Sequence, residues 1–300
     1  MGYSLGYFKS TSNFDNGGAS TNLSSGSSIN RYQHEIIPEY QPSRFLNIGA
    51  KLHFDSSQIN DSKGNSEAKN SFGDQVFFSE YRFFDAVGSS LGLAFLAKFP
   101  LYTNTTSASL NASGKQSTVL LGDAQSDYTV MATGEHWLHK SLRTRVDFGY
   151  SYRSDNYSAE LPYMLAIAYV SYKLDLEFRL KGNLSLENDK LNPNDSSSKA
   201  TKQVQNAHGG SKFALAENPV IHVFQVASEF WFNPLWSGEV SFALPYKGIE
   251  APKYWETRFG ITYRWVEKDQ TIRRTLKGVD ISTDQDKGKF EGEENDEFIE

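Results

Sequence analysis

The side chains of this 300-residue chain able to carry nucleophilic or metal chemistry are six histidines, His34, His53, His136, His139, His208 and His222, with no cysteine beside them. The missing thiols exclude cysteine nucleophiles, zinc–thiolate sites and disulfide scaffolds, and they are compatible with an oxidising compartment. His208 stands in HGGS with Ser211, but a serine nucleophile needs a strained strand-to-helix turn and this segment is a long polar loop. His222 and Ser228 share one face of an extended run; six positions along a strand separate them by roughly 20 Å, too far for a dyad. His136 and His139 flank a turn without the further ligands a metal requires. GDAQSD (122–127) and SDN (154–156) are acidic and oxygen-rich but lack the spaced ligands of a calcium loop, so they read as turns. No enzyme activity, metal or cofactor is expected.

The chemistry that remains is charge at alternate positions. In WETRFGITYRW (255–265), Trp255, Thr257, Phe259, Ile261, Tyr263 and Trp265 fall on one face, with Glu256, Arg258, Gly260, Thr262 and Arg264 on the other. Such period-two alternation is the mark of a strand with two unlike faces. Bounding such runs by turn residues gives twelve candidate strands, near 2–9, 31–40, 45–54, 74–84, 90–101, 126–137, 142–153, 161–173, 175–186, 219–232, 236–247 and 254–266. No run approaches the 18 or so apolar residues of a spanning helix.

The connections separate into two kinds. QPSR, DAVGS, LHKS, KLD and NPL are tight, whereas 10–30, 55–73, 102–125 and 187–218 are long and rich in Ser, Asn and Gly. In an up-and-down meander this places the long loops at one end and the short turns at the other, the asymmetry of transmembrane β-barrels with short periplasmic turns and longer external loops. The fold expected is therefore all-β, a transmembrane antiparallel up-and-down β-barrel of about twelve strands. A soluble sandwich would instead turn the charges to water, but it has no reason to segregate loop lengths. The apolar faces, such as Leu91, Leu93, Phe95, Ala97 and Phe99, or Val146, Phe148, Tyr150 and Tyr152, would then meet lipid, with aromatics towards the strand ends as interfacial girdles.

The opposite faces would line the lumen. By parity they carry Glu35, Glu39, Lys51, Glu80, Arg82, Lys98, Asp127, Glu135, Arg143, Arg145, Asp147, Arg153, Glu177, Arg179, Lys181, Glu229, Glu239, Glu256, Arg258 and Arg264. Tight turns fix approximate register. They place Glu35 near Lys51 and Glu135 near Arg143, and they set Glu229 against Glu239, a like-charged pair for which Arg258 or Arg264 could supply the cation. Arg143, Arg145, Arg153, Arg179 and Lys181 form a basic arc. It could attract anionic solutes, although structural ion pairing is the stronger expectation.

The formal charge is −6, and residues 266–300 hold six Lys/Arg against eleven Asp/Glu, so the imbalance sits in that tail and the body is nearly neutral. No basic patch points to nucleic acid. The expected organisation is a barrel over 1–266 and an acidic tail over 267–300 that reads as disordered, hanging in the periplasm as a candidate arm for a protein partner. MGYSLGYFK at the start has no basic or apolar signal region, so a secretory signal is expected to have been removed, with Met1 in its place.

Several segments resemble a known family. IIPEYQPSRFLNIGAKLHF (36–54), FPLY (99–102), LGDAQSDYTVMATGEHWL (121–138) and FGYSYRSDN (148–156) are similar to the outer-membrane channels named for transport in the phenol-degradation meta-pathway, relatives of the long-chain fatty-acid transporters. The counterparts of that family's motifs are Glu39 and Tyr40, Lys98 and Pro100, Gly122, Asp123, Gln125 and Asp127, and Gly149, Tyr150 and Arg153. Ala124 replaces a glycine of the pattern, PSR replaces the usual turn, and the tail is additional. The resemblance spans most of residues 30–265 and implies passage of small aromatic or hydrophobic solutes across the outer membrane of a Gram-negative bacterium, with the lipid bilayer as surroundings. The alternative is a non-conducting outer-membrane barrel that serves as a structural or protein-interaction scaffold through its loops or tail.

Overall fold

A computed structural model of the chain describes residues 1–15, 17–23, 27–60, 66–102, 121, 125–154, 157–186, 220–249 and 251–265. The strands are β1 (Gly2–Phe14), β2 (Ser20–Asn22), β3 (Ser28–Ile37), β4 (Glu39–Ser43), β5 (Leu46–Asn60), β6 (Ser66–Phe72), β7 (Asp74–Ala86), β8 (Ser89–Pro100), β9 (Asp127–His139), β10 (Leu142–Arg153), β11 (Glu160–Val170), β12 (Leu174–Ser185), β13 (Val220–Asn233), β14 (Trp236–Ile249) and β15 (Ala251–Tyr263). All belong to one antiparallel sheet, in which β1 pairs with β3 on one side and with β15 on the other. The sheet therefore closes, and twelve strands form the ring: β1, β3, β5 and β7 to β15. Closure leaves no open edge, which a sheet in hydrocarbon requires because lipid offers no hydrogen bonds to unpaired backbone groups.

The short strands refine the expected count. β2 pairs with the far end of β1, and β6 with the far end of β5, so that two ladders continue beyond the ring. β4 continues β3 after Pro38, whose ring removes one backbone donor and breaks the strand in two. The segment expected as a loop over 55–73 thus contains six further residues of β5 and all of β6. Likewise β15 begins at Ala251, since residues 251–253 pair with the extended β1.

Alternation in burial shows which face is which. On β10 the exposures of Val146, Phe148, Tyr150 and Tyr152 are 52%, 53%, 49% and 55%, while Asp147 and Arg153 between and beyond them stand at 5% and 8%. The same outward apolar parity recurs at Leu91, Leu93 and Phe95, at Phe242, Leu244 and Tyr246, and at Trp255, Phe259 and Ile261. A continuous band of exposed aliphatic and aromatic groups around a closed barrel, with charge on the inner side, is the surface of a membrane-spanning protein. Ala97, also on the outer parity, is buried because it is short and its neighbours cover it.

Turns gather at one end. Arg44–Phe45, Val87–Gly88, Lys140–Ser141, 171–173 and Pro234–Leu235 connect strands there, and Gly88 adopts φ 79°, a left-handed conformation that suits glycine. The β14–β15 seam is interrupted: its register runs from Trp236↔Tyr263 only as far as Ala243↔Glu256. Beyond it stand Pro245 and Pro252, each without the N–H a ladder needs. The free stretches bind outward instead, β14 to β13 and β15 to β1.

Candidate functional site

The inward charges assemble into four ion-pair groups, each spanning several strands. The first joins β1, β3, β5 and β15. Glu35 accepts from Arg258 Nη1 at 2.9 Å and from Ser4 Oγ at 3.1 Å, and lies 2.6 Å from His53 Nε2. Arg258 also donates to Glu256 at 3.0 Å and to Gln33 at 2.7 Å. Nearby, Arg31 meets the fully buried Asp55 at 2.5 Å.

A second group spans β7, β9, β10 and β12. Arg145 donates from Nε to both oxygens of Asp147 at 2.9 and 3.0 Å and lies 3.7 Å from Glu80. Arg143 bridges Glu135 at 3.4 Å and Glu177 at 3.3 Å, and Glu177 pairs in turn with Arg179. The third group sits where β8 to β11 reach the long-loop end. Asp127 pairs with Lys98 and lies 3.8 Å from Arg153, which binds Glu160 at 2.7 Å and stacks its guanidinium 4.6 Å from the Tyr157 ring. The fourth lies at the turn end, where Glu229 accepts from Arg264 at 2.9 Å and from Ser237 at 2.7 Å while Arg264 covers the Trp231 ring at 3.6 Å.

Five of the expected lumen residues have no ion pair among the described residues: Glu39, Lys51, Arg82, Lys181 and Glu239. Glu39 keeps the parity expected of it, since it pairs with Gly49 on the inward face of β5, but like all of β4 it is exposed.

Register explains where sequence reasoning about pairs differs from the structure. Glu35 faces His53, not Lys51, because β4 continues through Ser43 and the turn lies at Arg44–Phe45, later than the QPSR turn expected at 41–44, which moves the partner along β5. Lys51 stays within electrostatic range of Glu35, but Arg258 and His53 hold it. Glu135 faces Arg145, after a bulge between Leu142 and Arg143, and Arg143 reaches it diagonally. Glu229 and Glu239 do face each other, and Arg264 supplies the cation. Within the basic arc, Arg143, Arg145, Arg153 and Arg179 are each closed by a carboxylate. Four participants were missed. Arg31 and His53 sit on inward parity in the expected strands, and Asp55 and Glu160 lie just beyond strand ends drawn one to six residues short.

The histidines take other roles. His34 bonds Tyr3 at 2.8 Å and His136 bonds Ser89 at 2.8 Å, both at exposed positions. His222 pairs with Tyr163, not with Ser228. No group of three or more metal-ligating residues occurs among the described residues. His208, Ser211, 122–124 and 155–156 lie outside the described residues, as does the acidic tail.

Beside the first ion-pair group is a cavity of about 340 Å³, lined by Gly6, Phe8, Arg31, Gln33, Ile221, Pro252, Tyr254, Glu256 and Arg258. These are inward positions of β1, β3, β13 and β15, next to the interrupted β14–β15 seam. Phe8 and Tyr254 pack ring to ring at 4.4 Å on its wall.

Neither a protein-family model nor a curated protein matches this chain. Among solved structures, an outer-membrane channel from Pseudomonas putida F1 superposes with a TM-score of 0.62 over 87% of this chain and 94% of that one, at 12% identity. NanC porin aligns with a TM-score of 0.48 over 88% of this chain and 100% of its own at 8% identity, and KdgM porin at 0.47 over 88% and 99%, also at 8%. At such identities the likeness is one of fold: the chain is a twelve-stranded transmembrane β-barrel built like an outer-membrane channel.

Proposed function

We propose that this protein is an outer-membrane channel of a Gram-negative bacterium that passes small solutes through a lumen lined by the inward charges. The supporting observation is the sorting of one closed sheet into an outward apolar face and an inward face whose acids and bases are paired across strands. Such pairing gives most of the inward ions a partner, without which a charge taken out of water would be strongly unfavourable. The solved neighbour of the same fold is itself described as an outer-membrane channel, and the family resemblance adds the expectation that the solutes are aromatic or hydrophobic.

The test is single-channel recording of the refolded protein in planar bilayers with KCl. Discrete open events support the channel. A silent, correctly folded barrel would refute it and favour the scaffold, with loops or residues 267–300 as the partner-binding parts.

A further inference from the structure

We propose that the outer surface of β13, β14, β15 and β1 near the long-loop end is a docking surface for the phosphorylated headgroup of a glycolipid, the lipid A of the surrounding outer leaflet. This rests on the reading of the long-loop end as external and does not depend on conduction. The four strands are neighbours in the ring, and each carries one basic side chain on the lipid-facing parity: His222, Lys247, Lys253 and Lys9. Register shows that they share the outer face. Lys9 stands opposite Trp255, which is 37% exposed, and Lys253 lies two residues from Trp255 on the same strand. His222 stands opposite Lys247 and packs its ring 5.9 Å from that of the outward Tyr246. On the other eight ring strands, the three outermost described strand positions of the same parity hold no lysine, arginine or histidine; they are residues such as Asn30, Asn60, Tyr128, Tyr152 and Leu184.

Height on the wall follows from the aromatics. The Tyr7 ring packs 4.9 Å from Tyr32 and 5.1 Å from Trp255, a girdle of the kind that marks the lipid–water boundary. Towards the long loops, Lys9 is the next outward residue after Tyr7, Lys253 the next after Trp255, and His222 the next after Phe224. The basic groups therefore stand just outside the hydrocarbon, at the level of lipid headgroups. Lys253 directs its ammonium the same way, 5.8 Å from the Phe14 ring and 3.4 Å from Ser20 Oγ. The acids of these four strands, Glu229, Glu239 and Glu256, all face the lumen, and Asp15, beyond β1, is turned to the amides of Gly17 and Ala19. None of the four basic residues has an ion pair among the described residues. A basic cluster above an apolar band, with no carboxylate bound to it, complements a headgroup phosphate carried above acyl chains.

Native mass spectrometry of the full-length barrel in detergent counts bound lipid independently of conductance. Three probes separate the contributions: bisphosphorylated lipid A, the same glycolipid with its phosphates removed, and inorganic phosphate. Lipid A is expected to bind at least about tenfold more tightly than either of the others, since each lacks one half of the recognition. Lys9→Gln, Lys247→Gln and Lys253→Gln together should weaken lipid A binding on the order of a hundredfold, about fivefold for each lysine. Lys140→Gln with Lys173→Gln, which removes two exposed lysines from the turn end, should leave it unchanged. Heat-modifiable gel migration checks that each variant is folded. The surface is overturned, even if KCl currents are normal, by equal binding of the two glycolipids, by inorganic phosphate binding as tightly as lipid A, by a triple variant that binds like the wild type, or by an equal loss in the turn-end variant. Selective retention of lipid A by a barrel that never conducts leaves the surface standing and refutes the channel.

Discussion

Arg258 joins more of the interior than any other side chain described above, and replacing it tests whether the ion pairs hold the wall together. Arg258→Met keeps the length of the side chain and removes bonds to Glu35 at 2.9 Å, Glu256 at 3.0 Å, Gln33 at 2.7 Å and Ser4 at 3.1 Å. Glu35, with a side chain 9% exposed, would keep only His53 and Ser4, and Glu256, at 22%, would lose its ion pair. Removing one partner of a buried pair costs about 3–5 kcal/mol because the other charge is left without compensation. The arginine itself is 22% exposed, so water in the lumen offsets part of this and a loss of about 2–3 kcal/mol is expected. The assay is reversible guanidinium unfolding in lipid vesicles followed by fluorescence of the five tryptophans. A double-mutant cycle with Glu35→Gln should give a coupling of about 1–3 kcal/mol. A loss under about 0.5 kcal/mol, with no coupling, would show that the pair is solvated and that the network does not support the barrel.

Parity around the membrane predicts that Phe148→Arg costs about 2–4 kcal/mol in the same vesicle assay, while the charge already present on the opposite face of the same strand at Asp147 is tolerated because Arg145 binds it. Equal insensitivity at Phe148 would refute a lipid-facing β10. Gly73→Ala should disturb the Arg31–Asp55 pair, since the added Cβ would stand 1.9 Å from Asp55 Oδ2; a crystal structure of the variant with that pair unmoved would contradict this packing. Gly88→Ala, at φ 79° in the β7–β8 turn, is expected to cost about 1 kcal/mol by unfolding titration. Conversely, Glu229→Gln removes one negative charge from the turn end of the lumen, the carboxylate that Arg264 binds at 2.9 Å, and the reversal potential across a KCl gradient is expected to shift towards anion selectivity.

Alternation of side chains along each strand is local information, and that is why so much of the fold was legible. A strand of WETRFGITYRW type states its two faces residue by residue, and loop lengths state which end faces which way; neither needs tertiary contacts. Strand ends were less legible. β5 and β6 continue through Ser- and Asn-rich sequence that reads as loop, because pairing with a neighbouring ladder supplies what local propensity lacks.

Partners were the part that only tertiary structure decided. The position of the turn at Arg44–Phe45 and a bulge at Leu142–Arg143 set the register and so decide which charge Glu35 and Glu135 face. Closure of β1 on β15 brings Arg258 to Glu35 across 223 residues of sequence, a meeting no local pattern encodes. The basic arc shows the consequence: sequence established that these cations share a face, but the folded ring closed its arginines with carboxylates of the same and neighbouring strands and left Lys181 without an ion pair among the described residues. Face follows from the period of the chain, whereas net charge at a point in the lumen follows from register and closure, which are properties of the whole sheet.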